Sequence, residues 1–228
     1  MPKKIVKKKK LKVFHFLIFL LVIVALVMLG YLIINTKTKN IIIKNSDYIS
    51  DEDVITTARI EDYPPFYLIN TKKIEKKLEK NPLIERVTIK RKFYHVLIIN
   101  IKSNKPLFYY EAEKKVVLHD GRKADSLNTI NLRIPRVMNY IPNTKYSSLI
   151  KHIKKIDEDI LGKISEITYV PNEYDKDRFL LYMDDGNTVY LTLTKFKMIN
   201  YYNKVLPQLG GKEGILYLDS GNHFQIKN

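Results

Sequence analysis

The 228-residue chain contains no cysteine. No disulfide framework, thiolate metal site or cysteine nucleophile can therefore be built from it. A chain of this size can do without such staples, because it is long enough to bury a sizeable core. Tryptophan is absent too, and glycine is scarce at 8 residues. The five histidines, His15, His95, His119, His152 and His223, show no HExxH-like spacing, so the signature of a zinc hydrolase is missing. No GxSxG elbow occurs, and no repeat at a solenoid period. The absence with the largest consequence is of charge: the twenty-two residues from Val13 to Ile34 hold no Lys, Arg, Asp or Glu.

That stretch, VFHFLIFLLVIVALVMLGYLII, reads as a membrane span. At ~1.5 Å rise per residue it reaches roughly 33 Å, enough for a hydrocarbon core of about 30 Å. Seventeen of its residues are Leu, Ile, Val or Phe, each favouring insertion by ~0.3–0.6 kcal/mol near the bilayer centre. A cleaved signal peptide has a shorter apolar region and a small-residue exit, and Gly30-Tyr31-Leu32-Ile33-Ile34 offers none. Seven lysines precede the span (Lys3, Lys4, Lys7, Lys8, Lys9, Lys10, Lys12), against three in Asn35–Ile49 (Lys37, Lys39, Lys44). That asymmetry predicts a cytoplasmic N-terminus and an extracytoplasmic remainder. Attraction to the anionic bilayer explains the lysine run more simply than nucleic acid does. Without those seven lysines the chain keeps 33 basic against 24 acidic residues, a diffuse surplus that suits an anionic wall or lipid surface. The wealth of Lys, Ile and Asn points to a low-GC bacterium.

After the span, Ile41–Lys44 is β-branched and reads as a strand. Ser50 precedes Asp51, Glu52 and Asp53, an acidic first turn for a helix over Asp51–Arg59. Beyond Pro64-Pro65, Asn70 or Thr71 can cap a second helix with Ile74 and Leu78 on one face. Val87 and Ile89 alternate with Thr88 and Lys90, and Leu97, Ile99 and Ile101 alternate with Ile98, Asn100 and Lys102, which predicts a hairpin turning near Lys92–His95. The order is β-α-α-β-β. A basic tail, one span and this order resemble the FtsQ/DivIB family of bacterial cell-division proteins, in which a POTRA domain follows the anchor. Pro82-Leu83-Ile84-Glu85-Arg86-Val87-Thr88-Ile89-Lys90-Arg91-Lys92-Phe93 is similar to the family's helix-to-strand signature. Leu97, Ile99, Ile101 and Pro106 match its next strand, whereas Tyr94, Ser103 and Asn104 depart from the pattern.

The remainder is similar to the family's β domain. Val116–Leu118 leads into His119-Asp120-Gly121-Arg122, a strand and an Asp-Gly turn, and Ile134-Pro135-Arg136-Val137 resembles the family's Leu-Pro-x-Leu segment. A helix over Ser147–Asp159 is expected from Leu149, Ile150, Ile153 and Ile156. Strands follow at Ile164–Val170, Phe179–Met183 and Thr188–Leu193, the last two joined by a hairpin around Asp185-Gly186. A helix over Lys195–Gln208 stops at Gly210-Gly211, and Gly214–Gly221 forms a closing strand. The expected fold is thus a single-span membrane anchor followed by an α+β ectodomain, a POTRA unit (β-α-α-β-β) plus a mixed β domain with flanking helices. Its parts are a basic cytoplasmic tail (1–12), a transmembrane helix (13–34), a POTRA domain (35–106) and a β domain (107–228).

Candidate chemistry is sparse. Asp219, Ser220 and His223 stand within five residues, but triad members normally meet through the fold rather than along the chain. Glu111 with Glu113, and Asp157, Glu158 and Asp159, could pair for glycan cleavage and read better as solvated faces. The resemblance implies a non-catalytic divisome scaffold without cofactors, in the cell membrane at the division septum. Its ectodomain would bind bitopic partners of the FtsB/DivIC and FtsL types and help regulate septal wall synthesis. The lipid bilayer is a further partner, the cell wall another candidate, and nucleic acid is discounted. Two other readings stay open: a membrane-anchored cell-wall-modifying enzyme, and a POTRA-type receptor or chaperone for exported polypeptides, since a free sheet edge accepts a strand. In the family the last helix and strands of the β domain receive the FtsB/DivIC-type partner. That implies docking at Tyr217, Leu218, Asp219, Ser220 and Gly221 as an added-strand template, with Phe196, Tyr201 and Tyr202 supplying aromatic contacts; the other reading is that this strand is simply core, with Tyr217 packed inside.

Overall fold

The computed structural model describes residues 13–125 and 132–227; the expected basic tail, residues 1–12, lies outside them. Helix α1 (Val13–Ile34) carries no residue buried against the rest of the chain, as an apolar cylinder meant for lipid requires. It is the single described helix long and apolar enough to cross a membrane.

Two compact units follow by contact: residues up to Leu78 with Val87–Ile101, and Glu79–Arg86 with Lys102 onward. The division runs through a hairpin rather than at Pro106. In the first unit β1 (Asn40–Lys44), α2 (Asp51–Ala58), α3 (Thr71–Leu78), β2 (Ile84–Lys92) and β3 (Val96–Ser103) follow the β-α-α-β-β order. Ser50 caps α2 by accepting the Asp53 N–H at 3.1 Å, and Arg59 ends it in the left-handed conformation. Asn70 caps α3 through the Lys73 N–H at 3.0 Å. The sheet order is β1-β3-β2, with β1 parallel to β3. Val87, Ile89, Leu97, Ile99 and Ile101 are buried, as are Val54 and Ala58 on α2 and Ile74 and Leu78 on α3. The alternation in the strands and the four-residue spacing in the helices bury one common face.

The second unit is built on a nine-stranded sheet, β12-β11-β10-β9-β8-β7-β4-β5-β6. Its strands are β4 (Pro106–Tyr110), β5 (Lys115–Leu118), β6 (Lys123–Asp125), β7 (Arg136–Val137), β8 (Ile164–Tyr169), β9 (Arg178–Met183), β10 (Thr188–Thr192), β11 (Gly214–Tyr217) and β12 (His223–Ile226). One continuous core includes Phe108, Val137, Leu149, Ile153, Ile167, Phe179 and Phe196. The His119–Arg122 turn is a staple: the Arg122 guanidinium donates to Ile84 O at 2.5 Å and Glu79 O at 3.3 Å, and to the Asp120 carboxylate at 2.6 Å. Asn104 adds bonds to Leu83 O at 2.8 Å and Pro82 O at 2.9 Å. These contacts explain why Glu79–Arg86 belongs to this unit.

Three expectations for this unit need correction. The helix expected over Ser147–Asp159 is two helices, α4 (Asn143–Ile153) and α5 (Glu158–Leu161). The Asn200 side chain makes the break, accepting the Asp157 N–H and donating to Lys155 O, each at 3.0 Å. The helix expected over Lys195–Gln208 is mostly 3-10: Leu193–Tyr201, then a single α turn, α6 (Tyr202–Val205), then Leu206–Leu209. Leu193, Phe196, Ile199 and Tyr202 are all buried, and their strict spacing of three aligns them on one face only at three residues per turn. Finally, the closing strand stops at Tyr217, and β12 follows it.

Candidate docking edge of the second unit

Strand β11 is internal, parallel to β10 on one side and antiparallel to β12 on the other. It cannot accept an added strand, and β12 is the edge. Residues Leu218–Asn222 form the turn between β11 and β12, with Gly221 at φ +97° and Asn222 at φ 53°. Backbone N–H groups of Leu218 and Asp219 both donate to Tyr190 O, at 2.8 and 3.2 Å. The Lys195 ammonium donates to Asp219 O at 3.0 Å. The Asp219 carboxylate accepts the Arg178 Nε–H at 2.7 Å, with side chains 9% and 19% exposed. Ser220 donates its hydroxyl to Asp219 at 3.1 Å, while the His223 ring stacks on Tyr217 at 4.6 Å. Asp219 is thus engaged by arginine, and the expected added-strand register over Tyr217–Gly221 gives way to a pinned turn.

The aromatic candidates separate. Phe196 is fully buried in the core, and Leu218 is buried with it. Tyr202 is 2% exposed, and its hydroxyl donates to the Asp185 carboxylate at 2.8 Å. Burial and then that carboxylate push the phenol well above its ordinary value. Asn187 joins the same network, donating to Asp185 at 3.1 Å and accepting the Gly214 N–H at 2.8 Å. Phe196 and Tyr202 therefore hold the site up from beneath. Tyr201 is exposed at the surface, under the Lys204 ammonium at 5.4 Å. Tyr217 stands in a row across the sheet: Arg178 lies 3.8 Å above Tyr190, which stacks on Tyr217 at 5.4 Å, and Tyr217 stacks on His223.

On the other face the last strands and the 201–209 segment enclose an open groove of about 480 Å³ lined by Val205, Leu209, Leu216, Leu218, Phe224 and Ile226, with Lys212, Gln208 and Asn222 as polar members. Gly214 makes the groove possible: a Cβ there would lie 2.4 Å from the Phe224 ring and 2.3 Å from Gln225 O, so the ring can lie over the strand only where the side chain is missing. Among the described residues no strand pairs with the outer side of β12. Lys227 N–H donates inward to Glu213 O at 3.0 Å. Antiparallel periodicity then turns Gln225 and His223 inward and leaves the N–H and C=O of Phe224 and Ile226 pointing outward. Sequence reasoning missed Phe224, Ile226 and the groove. The signal was present in Gly221-Asn222 followed by the alternating His223-Phe224-Gln225-Ile226, a hairpin pattern.

The carboxylates considered for glycan cleavage have other partners. Glu111 accepts from Arg136 at 2.7 Å, Glu113 from Lys123 at 2.6 Å and Asp159 from Asn203 at 2.8 Å, and Glu158 pairs with Lys105. Asp157 lends its backbone to the helix break. Among the described residues no group of three or more His, Asp or Glu is placed to hold a metal ion.

Two family models match this chain: POTRA domain, FtsQ-type, over residues 36–102, and Cell division protein FtsQ/DivIB, C-terminal, over residues 109–220. The chain belongs to the FtsQ/DivIB family. Among curated relatives, the cell division protein DivIB of Listeria monocytogenes is 27% identical over 229 residues, covering 98% of this chain and 85% of that protein. DivIB of Bacillus subtilis is 26% identical over 195 residues, covering 83% and 74%. The solved major extracytoplasmic domain of DivIB from Geobacillus stearothermophilus aligns at 20% identity and TM-score 0.39, covering 48% of this chain and 96% of that one. With its one apolar N-terminal helix, this FtsQ/DivIB protein is a single-pass membrane protein. The outer side of β12 and the groove beside it are its candidate docking edge.

Proposed function

We infer that this protein is a non-catalytic scaffold of the bacterial divisome. It sits in the cell membrane with its N-terminus in the cytoplasm and its ectodomain outside, at the division septum. The second unit receives a single-span partner of the FtsB/DivIC type, with an FtsL-type protein in the same assembly, and so helps regulate septal wall synthesis. The reading is carried by β12: an edge strand with outward N–H and C=O groups beside an apolar groove suits a partner that adds a strand and lays side chains into the groove. The names of the relatives, all cell division proteins, support the setting.

The informative substitution is at Ile226, which is 48% exposed. Ile226→Pro removes one outward N–H and leaves the inward ladder intact, and Ile226→Asp places a charge at the mouth of the groove. Leu218 is a poor probe because its burial would confound binding with folding. In cross-linked membranes both Ile226 variants should lower recovery of co-purified single-span proteins about tenfold, a loss of roughly 1.4 kcal/mol, with the melting temperature of the full chain unchanged. Undiminished recovery on a folded variant would overturn the docking edge. Release of soluble fragments from peptidoglycan by the wild-type chain, abolished by Ser220→Ala or His223→Ala, would instead favour the wall-modifying enzyme.

A further inference from the structure

No free linker separates the span from the first unit. Asn35 and Thr36 still donate their N–H groups to Tyr31 O and Ile33 O of α1, each at 3.1 Å. The next residues are already inside the fold. Phe66 N–H donates to Thr36 O at 2.9 Å, Thr38 donates its N–H and hydroxyl to Pro64 O at 3.1 and 2.8 Å, and Lys39 N–H donates to His95 O at 2.9 Å. Two stretches distant in sequence, Tyr63–Leu68 and Phe93–His95, are therefore bonded to the five residues that leave the membrane. Five residues reach at most ~17 Å when fully extended, and the bond at Thr36 acts two residues past the span. The turn Phe66–Leu68 also touches α1.

The two stretches form one body. The His95 ring meets Phe66 edge-on at 5.2 Å and Tyr67 at 5.7 Å. The Arg91 guanidinium lies 5.8 Å from the Phe66 ring centre and donates to Phe66 O at 3.3 Å and to Ile69 O. From this base the tip between β2 and β3 projects. Tyr94 and His95 both take positive φ, 63° and 59°, a conformation uncommon for residues other than glycine. Phe93 and Tyr94 are 91% and 83% exposed, and Tyr63, Tyr67 and Leu68 are exposed beside them. Around them Lys37, Lys39, Lys90 and Lys92 are exposed, against the exposed acids Glu61 and Asp62.

In water this is a poor surface: five large apolar or aromatic side chains share it, each largely exposed to solvent. At a membrane boundary it is favourable, because aromatic rings settle at headgroup depth and lysines meet anionic lipid. We propose that this face, with Phe93 and Tyr94 at its tip, is seated in the interfacial layer of the leaflet from which α1 emerges. The first unit is then fixed on the bilayer at two points, the span and the aromatic tip. The occupant is lipid because the span itself delivers the face to the leaflet.

The absence of tryptophan makes the test direct, since one introduced indole is the only one in the molecule. The full chain carrying Phe93→Trp or Tyr94→Trp is reconstituted in vesicles of phosphatidylcholine with one third phosphatidylglycerol, with and without acyl-chain-brominated phosphatidylcholine. Glu52→Trp is the control. It is exposed in the first turn of α2, one strand length further along the unit. The tip reporters should emit roughly 10 nm to the blue of the control and be quenched about twofold by brominated lipid, as expected at the depth of interfacial aromatics. Tip emission and quenching equal to the control would overturn the proposal. So would a blue shift without quenching, since that result means another protein surface covers the tip.

Discussion

Asp219 shows how a residue can be found and its role misjudged. An acid beside Ser220 and near His223 invites a reading as catalyst or contact. Its carboxylate instead meets the Arg178 guanidinium at 2.7 Å, both side chains largely withdrawn from solvent, while Arg178 also caps the Tyr190 ring at 3.8 Å. Removing the carboxylate leaves a nearly buried cation unpaired, and breaking such a pair costs roughly 3 kcal/mol. Asp219→Ala should therefore lower the melting temperature by about 10 °C, whereas Ser220→Ala, at an exposed position, should stay within about 0.5 kcal/mol of wild type. Thermal melts of the full chain in nanodiscs compare the two; equal melting points would mean the ion pair contributes nothing. Nothing near Asp219 in sequence announces Arg178, forty-one residues away, so this role was not legible. Tyr202 has the same history, because its partner Asp185 lies in a turn that reads as a turn and nothing more.

Elements were legible where the cause is local. The caps at Ser50 and Asn70, the alternation of β2 and β3 and the Asp185-Gly186 hairpin with its register of Thr188 against Tyr182 all follow from neighbours within a few positions. Elements governed from a distance were not. The break between α4 and α5 is made by Asn200, and the buried spacing of three in Leu193–Tyr201 gives a 3-10 run where an α-helix over Lys195–Gln208 is expected from sequence. The first unit gives the cleanest test of the local readings. Ile99 is fully buried on the central strand β3, between β1 and β2. Ile99→Asp would place an unpaired carboxylate there, and we expect several kcal/mol of destabilisation. Urea unfolding followed by circular dichroism should show a midpoint far below wild type, and an unchanged midpoint would mean that β3 does not carry the core.

At the scale of the whole molecule, the order of span, first unit and second unit was legible because each is set by periodicity and apolar length. The assignment of Glu79–Arg86 to the second unit was not, since it depends on Arg122 and Asn104 reaching back by side chain. Orientation is a further consequence of sequence at this scale, and it decides whether the docking edge can work outside the cell. Seven lysines before α1 face three in the fifteen residues after it, and short flanking segments rich in Lys and Arg stay in the cytoplasm. Translocating the seven would oppose the membrane potential by ~2.3 kcal/mol per charge per 100 mV, whereas the exposed lysines beside the first unit's tip, Lys37, Lys39, Lys90 and Lys92, are fewer and stand with the acids Glu61 and Asp62. Protease added to spheroplasts should therefore digest the chain beyond Asn35, while a tag fused before Lys3 survives until the membrane is opened. Replacing the seven lysines by asparagine leaves none before the span against three after it, which reverses the asymmetry and should yield a population in which part of the C-terminal region is protected. Full protection of that region in the wild-type chain would place β12 and its groove in the cytoplasm, and the proposed scaffold role would fall with the orientation.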